Sequence, residues 1–204
     1  MNNKNHICFD LDGVLIDSID LMKYCWEETN NHFGINKSFT EFSKLIGLPL
    51  TSIIDTLEIS NGQQIINHYK NLSYNNLDKL NLKKGTLSNI ETLSRFYKIS
   101  IYTSKTWDRV EKIISLYFDS INFNSIITSD DVTKSKPDSE GLFKICNLVD
   151  SSIDQSIYIG DTNYDFLAAK NAGMDFVYAS WGYGDVKNAK YEIDSIKELY
   201  ELIT

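Results

Sequence analysis

Short apolar runs alternate with longer amphipathic stretches along most of the chain. Each run is too short for a helix, which is typical of a buried strand. The predicted strands lie at residues 7–9, 99–102, 125–128, 157–159 and 176–178. Between them, apolar residues recur about every 3.6 positions and predict helices. Strands separated by helices imply an α/β fold with a Rossmann-like parallel sheet core flanked by helices.

The stretch that follows the first strand is different, because it shows no strand alternation. A helix is predicted at residues 17–33, and three short helices are predicted within residues 38–80. This uniformity predicts an inserted helical domain at residues 17–82, with residues 1–16 and 83–204 forming the α/β core domain. Its hinges are expected at residues 15–17 and 81–85. Further helices are predicted at residues 86–97, 106–118, 138–149, 163–172 and 193–203.

Two carboxylates follow the first strand. Asp10 and Asp12 stand at its end, and Gly13 allows the chain to curl so that both acids can share one site. Open α/β sheets bind ligands at the carboxyl ends of their strands. A close acid pair needs a cation or a shared proton, and a hard divalent ion such as magnesium satisfies that need. An ordinary acidic turn is the structural alternative, since Asp and Gly are common turn formers.

Two further strand ends offer groups that bind phosphate. Thr103 and Ser104 follow the strand at residues 99–102 and present hydroxyls and backbone N–H groups, although a simple helix N-cap explains them equally well. Lys136 precedes Pro137 at a helix start, where a lysine can neutralise a phosphoryl group or be merely solvated.

A last strand end supplies a second pair of acids. Asp161 follows the strand at residues 157–159, and Asp165 comes four residues later. Asp165 also fits a capping box with Thr162, whereas Asp161 has no such structural explanation. Taken together, the four strand ends predict acids that hold magnesium beside a hydroxyl and a lysine that hold a phosphate.

The overall charge and the cysteines narrow the class of protein. The formal net charge of -8 argues against a nucleic-acid partner, which would require a basic face. No apolar run approaches the length of a membrane span, and the polar start leaves no room for a signal peptide. The three cysteines have no metal-like spacing and predict reduced thiols of a cytoplasmic protein.

Four segments in this order resemble the motifs of the haloacid dehalogenase-like superfamily, and among its members the phosphoglycolate phosphatases. The matching positions are Asp10 to Val14, Thr103, Lys136 with Pro137, and Gly160 to Asp165. The resemblance covers nearly the whole chain. It implies that the inserted helical domain at residues 17–82 is the family's helical cap.

The resemblance also implies a mechanism. Asp10 would attack the phosphoryl group to form an aspartyl-phosphate, and Asp12 would serve as general acid and then as general base. Magnesium would be held by Asp10, the main-chain carbonyl of Asp12, Asp161 and Asp165. The phosphate would be bound by Thr103, Ser104, Lys136 and a backbone amide near Gly13. The expected substrate is a small phosphorylated metabolite, and the expected assembly is a monomer or homodimer.

Four alternatives to a phosphatase are considered at this stage. Dehalogenases of the superfamily lack the second acid, so Asp12 favours phosphoryl chemistry. Sugar-phosphate mutases resemble the chain but commonly carry Glu-Asp where it has Gly160-Asp161, which favours hydrolysis. A phospho-aspartate signalling module would be far shorter, and a catalytically silent phosphate-binding relative would not need Asp12.

Overall fold

The computed structural model describes Met1 and residues 3–203, and its strands form two sheets. The strands in chain order are β1 (His6–Phe9), β2 (Ile16–Asp17), β3 (Asn81–Leu82), β4 (Lys98–Tyr102), β5 (Ser125–Ile127), β6 (Ser156–Gly160), β7 (Asp175–Ala179) and β8 (Tyr191–Ile193). The larger sheet has the order β5-β4-β1-β6-β7-β8, and every neighbouring pair in it is parallel. The predicted α/β fold with a parallel sheet is confirmed.

Strand β1 lies at the centre of the sheet and is buried on both faces. Ile7 and Phe9 pack into the apolar core on one face, and Cys8 packs into a second cluster on the other, as strand alternation requires. Phe9 pairs with Ile101 of β4 and with Ile159 of β6. Because these three strands end in register, the residues that follow them emerge at one edge of the sheet.

Some helices cover the larger sheet, and others make up most of the chain between β2 and β3. They are α1 (Ile19–Phe33), α2 (Phe39–Ser43), α3 (Leu50–Thr56), α4 (Gly62–Asn75), α5 (Thr86–Leu93), α6 (Trp107–Tyr117), α7 (Glu140–Leu148), α8 (Asn163–Ala172) and α9 (Glu198–Ile203), with a 3-10 turn at Leu77–Lys79. Helices α1 to α4 form the cap, the segment between β1 and β4 that was predicted to be helical. No helix in the described part of the chain is long and apolar enough to cross a bilayer.

The two predicted hinges lie side by side. Ile16 and Asp17 of β2 pair antiparallel with Leu82 and Asn81 of β3. The prediction of a purely helical segment was therefore wrong at both of its ends. Strands of two residues are too short to show an alternating pattern, so the sequence carries no signal for them. The division into domains at residues 1–16, 17–82 and 83–204 stays a prediction.

The last predicted helix was also wrong in part. Residues 191–193 form β8 at the edge of the sheet, and α9 begins only at Glu198. Ile193 is buried in β8. An apolar residue at this position suits the end of a strand and the start of a helix equally well, so its character alone did not distinguish the two. Helix α1 begins two residues later than predicted, after Ser18.

Candidate active site

The strand ends bring four of the predicted site residues together. Asp10 follows β1 and Asp161 follows β6, while Asp165 lies in the first turn of α8. Carboxylate oxygens of these three acids lie within 4.8 Å of one another. The Nζ atom of Lys136 donates to Asp10 Oδ1 and to Asp165 Oδ1, at 2.8 Å each. We call these four residues the acidic cluster.

The acidic cluster carries more negative than positive charge in a buried place. Burial raises the pKa of Asp10 to about 7, and the charge of Asp165 acts in the same direction while Lys136 opposes it. Burial also raises the pKa of Asp161 well above its usual value, assisted by the charges of Asp165 and Asp10. One lysine therefore does not balance three carboxylates, and a bound cation would relieve the excess.

The donor set of the acidic cluster fits a divalent metal ion. Asp161 Oδ2 accepts a hydrogen bond of 2.6 Å from the Tyr183 N–H, whereas Asp161 Oδ1 is buried without a partner among the described residues. A buried carboxylate oxygen of this kind is costly unless an ion uses it. Carboxylate oxygens are the ligands that hard divalent ions prefer.

Asp165 differs from the other two acids because its hydrogen bonds are already complete. Its Oδ1 accepts from Lys136 and from the Tyr158 hydroxyl, and its Oδ2 accepts from the N–H and hydroxyl of Thr162. Although burial acts against it, Lys136 and the other donors lower the pKa of Asp165. The predicted capping box is present, so this acid both starts α8 and orients Lys136.

Close packing around these acids explains the glycines of the site. A Cβ atom on Gly13 would lie 2.2 Å from Asp161 Oδ2, and one on Gly182 would lie 2.1 Å from Asp161 Cβ. Gly13 also has a φ of +78°, a conformation that favours glycine. Its N–H donates to Ile16 O at 2.9 Å, so its assignment to phosphate binding stays a prediction.

Asp12 occupies a different environment from Asp10. Its Oδ1 accepts a hydrogen bond of 2.7 Å from Lys105 Nζ and a short one from the Ser18 hydroxyl. Burial would raise the pKa of Asp12, but the ion pair with Lys105 outweighs it and leaves the pKa lowered. Asp12 therefore lies outside the acidic cluster, and only its main chain stays a predicted metal ligand.

The two predicted phosphate-binding hydroxyls serve different contacts. The Thr103 side chain is buried, and its Oγ1 accepts from the Lys105 N–H at 3.2 Å. The Ser104 hydroxyl donates to Gly47 O in the cap, at 2.6 Å. Its backbone N–H, rather than its hydroxyl, is thus the group left for a phosphate.

A cavity of about 340 Å³ lies between the core and the cap, above the strand ends. Its wall includes Asp10, Asp12 and Thr103 from the core, and Leu48 and Tyr69 from the cap. This volume accommodates a small metabolite with its phosphate near Asp10.

A family model described as haloacid dehalogenase-like hydrolase matches residues 7–179. The chain belongs to the haloacid dehalogenase-like hydrolases. The predicted family is confirmed, and the chain is an enzyme of the phosphatase type within it.

Relatives of the hydrolase cover nearly its whole length. Pyrophosphatases PpaX of Bacillus mycoides and Anoxybacillus flavithermus are 28% and 30% identical to it, over 98% and 96% of this chain and 97% and 93% of theirs. A crystal structure from Lactobacillus plantarum with the provisional name phosphoglycolate phosphatase has a TM-score of 0.91 at 23% identity, over 98% of this chain and all of the other. CbbY of Rhodobacter sphaeroides, in complex with phosphate, has a TM-score of 0.84 at 19% identity, with 96% of each chain covered.

The sequence-based reasoning missed three residues around the active site of this hydrolase. Lys105 pairs with Asp12, and Ser18 donates to the same carboxylate. Tyr183 supplies the N–H that holds Asp161, and its hydroxyl accepts from the Ser18 N–H at 2.6 Å. A lysine two residues after Thr103 was a readable signal, because it too stands at a strand end. Nothing in the sequence connects Ser18 with Tyr183.

Proposed function

We propose that the chain is a magnesium-dependent phosphatase that hydrolyses a small phosphorylated metabolite through an aspartyl-phosphate on Asp10. The observation that carries this proposal is the acidic cluster at the carboxyl end of β1. There, Asp10 faces the cavity beside two further acids and a buried lysine. Magnesium would be held by Asp10, Asp161 and the main-chain carbonyl of Asp12, with Asp165 behind them, and it would reduce repulsion between carboxylate and phosphate.

In the first step, a carboxylate oxygen of Asp10 attacks phosphorus, and the bond from phosphorus to the ester oxygen breaks. The leaving oxygen takes a proton from Asp12. Because the pKa of Asp12 is lowered, we assign the proton of the ion pair to Lys105, whose own pKa is lowered by burial despite the charge of Asp12. That proton reaches the leaving group through Asp12, which leaves Lys105 neutral.

In the second step, water attacks phosphorus and releases Asp10 together with inorganic phosphate. The Asp12 carboxylate accepts a proton from that water and returns it to Lys105, so the pair ends as it began. Lys136 stays beside Asp10 in both steps and binds the phosphoryl oxygens together with Thr103 and the Ser104 N–H. The N–H groups of Leu11 and Asp12 donate to no described residue, and we assign them to the same phosphate.

One contact favours hydrolysis over the mutase alternative. A Cβ atom on Gly160 would lie 2.4 Å from Asp165 Cβ. A glutamate at this position, as in the mutases that the chain resembles, would not fit beside Asp165. This packing excludes the mutase glutamate from position 160, and the absence of that glutamate favours a hydrolase over a mutase.

The substrate and the setting belong to the same proposal. The names of the relatives point to phosphoglycolate and inorganic pyrophosphate as the first compounds to test. We infer that the protein acts in the cytoplasm as a monomer or homodimer, without nucleic-acid or membrane partners.

Release of inorganic phosphate tests the proposal directly. A panel of small phosphorylated compounds is assayed with and without magnesium, for the wild type, Asp10→Asn and the exposed control Asp20→Asn. We expect magnesium-dependent turnover that Asp10→Asn reduces by about 10³-fold or more, while Asp20→Asn keeps it. A phosphoprotein that persists without turnover would indicate a signalling module, and no release from any compound would indicate a silent binder.

A further inference from the structure

Arg109 is a buried cationic side chain of the cavity that has no hydrogen-bond or ion-pair partner among the described residues. Arg109, the third residue of α6, is 7% exposed and lines the cavity that also contains Asp10. Among Met1 and residues 3–203, its guanidinium group forms no hydrogen bond or ion pair, and Nε is fully buried. A buried charge without a partner is costly, so such a group is generally kept for a ligand or a function.

The acids that line the cavity do not serve as this partner. Asp10 is bound by Lys136, and Asp12 is bound by Lys105. Asp130 Oδ2 accepts the Trp107 N–H at the start of α6, at 2.7 Å. Burial raises the pKa of Asp12 and the contact with Lys105 lowers it; the charge of Arg109 also lowers it, but without a contact between the two side chains.

Two further donors at the same cavity, Thr106 and Lys70, have no partner in the part of the chain that the structure describes. Thr106 is the N-cap of α6, and its Oγ1 is buried with no hydrogen bond among the described residues. It lies three residues before Arg109, so both side chains share one face of the helix. Lys70 of α4 reaches the cavity from the cap, and the described residues provide it with no ion pair.

Arg109 lines the same cavity as Asp10, but it forms no ion pair with the acidic cluster among the described residues. Its positive charge acts on Asp12 and Lys105 of the core as well as on Cys25 of α1 and Tyr69 of α4 in the cap. The phosphoryl site lies at the acidic cluster, where Lys136 provides the positive charge. The cavity therefore has cationic groups besides Lys136, at Arg109 of α6 and at Lys70 of α4.

We propose that Arg109, Thr106 and Lys70 bind a second anionic group of the substrate, carried on the leaving group. This inference rests on the proposed function, because the second group is placed relative to a phosphate at Asp10. A carboxylate or a second phosphate has the planar or multiple oxygens that a guanidinium group binds in a bidentate way. Such local charge is needed, since a protein with a net charge of -8 repels anions at long range.

Selectivity between leaving groups tests the proposal. The values of kcat/KM are measured for phosphoglycolate, inorganic pyrophosphate and phenyl phosphate, whose leaving groups carry a carboxylate, a phosphate and no charge. Arg109→Gln is compared with Arg109→Lys and with Arg95→Gln, a matched change at the exposed second arginine of the chain. The two anionic compounds distinguish a carboxylate subsite from a phosphate subsite.

We expect Arg109→Gln to lower the ratio of kcat/KM for the preferred anionic compound over phenyl phosphate by about tenfold or more. Arg109→Lys should restore part of this ratio, and Arg95→Gln should leave it unchanged. An unaltered ratio in Arg109→Gln overturns the proposal. Should Arg109→Gln fail to fold, Arg109→Lys decides the same question, because a bidentate site does not accept lysine as an equal.

Binding without turnover keeps this inference distinct from the proposed function. Calorimetry in the absence of divalent metal measures the affinity for pyrophosphate and for orthophosphate. We expect Arg109→Gln to weaken the binding of pyrophosphate by about tenfold more than that of orthophosphate. If the wild type hydrolyses nothing but shows this difference, the proposed function fails and the anion subsite stands. Equal weakening of both ligands overturns the subsite.

Discussion

Asp10 and Asp12 are separated by one residue, yet their surroundings are opposite. Asp10 lies in the acidic cluster, where burial raises its pKa to about 7. Asp12 lies beside Lys105 and Ser18, which lower its pKa although burial acts against them. The comparison teaches that a turn of the backbone is enough to shift the pKa values of two identical side chains in opposite directions. Burial opposes the ionisation of the first carboxyl group, whereas Lys105 and Ser18 favour the ionisation of the second.

The largest expected effect is on kcat, and it comes from replacing Asp12, the residue proposed to exchange a proton. Asp12→Asn keeps the shape of the side chain but cannot transfer a proton, so kcat should fall by about 10² to 10⁴-fold. The first step depends least on Asp12 when the leaving group is p-nitrophenolate. With p-nitrophenyl phosphate we therefore expect a burst of about one equivalent of product, followed by slow turnover. Full steady-state turnover of Asp12→Asn would contradict the role of Asp12.

The next largest effect is on stability, and it comes from replacing the lysine that is paired with each acid: Lys136 beside Asp10 and Lys105 beside Asp12. Lys136→Met leaves Asp10 and Asp165 buried without their shared donor, and we expect it to lower the free energy of unfolding by about 3–5 kcal/mol. Lys105→Met should cost less, because Asp12 keeps the Ser18 hydroxyl and the nearby charge of Arg109. Urea denaturation of both variants measures the difference. A larger loss for Lys105→Met would show that the acidic cluster is not the more demanding site.

His6 also contributes to the pH dependence of stability, and its contribution must be distinguished from those of Asp10 and Asp12. His6 is buried at the other end of β1, and burial together with the charge of Lys98 lowers its pKa to about 4. The unfolded chain then binds more protons, so stability should fall by up to about 3 kcal/mol as pH drops from 6.5 towards 4. His6→Asn should flatten this part of the curve in chemical denaturation at a series of pH values. If the free energy of unfolding of His6→Asn fell with pH as steeply as that of the wild type, groups other than His6 would cause the fall.

The smallest effect sharpens the comparison at the hinge. The Ser18 hydroxyl contacts Asp12 instead of capping α1, whereas Ser38 forms a full capping box at the start of α2. Ser38→Ala should therefore lower the free energy of unfolding by about 1 kcal/mol without a change in kcat. Ser18→Ala should shift the pH profile of kcat upwards, because it removes a donor that keeps Asp12 ionised. If Ser18→Ala and Ser38→Ala had the same pH profile of kcat, Ser18 would have no influence on the ionisation of Asp12 during catalysis.

Much of the site was predictable because parallel strands end at one edge. Buried apolar runs located β1, β4 and β6, and the polar residues after them predicted that Asp10, Thr103 and Asp161 would meet. Lys136 was predictable for the same reason, as the charge in a loop that follows β5. The capping box of Asp165 is a local pattern within four residues, and it too was readable from the sequence.

The remaining features depend on distances through space that no local pattern encodes. The contact between Lys105 and Asp12 joins residues 93 positions apart, and it depends on the path of the loop between β4 and α6. The pairing of β2 with β3 rests on two residues in each strand, and β8 is a three-residue edge strand whose one buried apolar residue also suits a helix.

The central place of β1 has a consequence for how the protein comes into being. The strand is made first, but both neighbours that hold it in the sheet, β4 and β6, begin only at Lys98 and Ser156. At a translation rate of roughly 5–20 residues per second, many seconds therefore pass between the synthesis of Asp10 and the pairing of β1 with both of its neighbours. A nascent chain that stops before Asp165 has no complete acidic cluster, so activity should arise only after this residue has been synthesised.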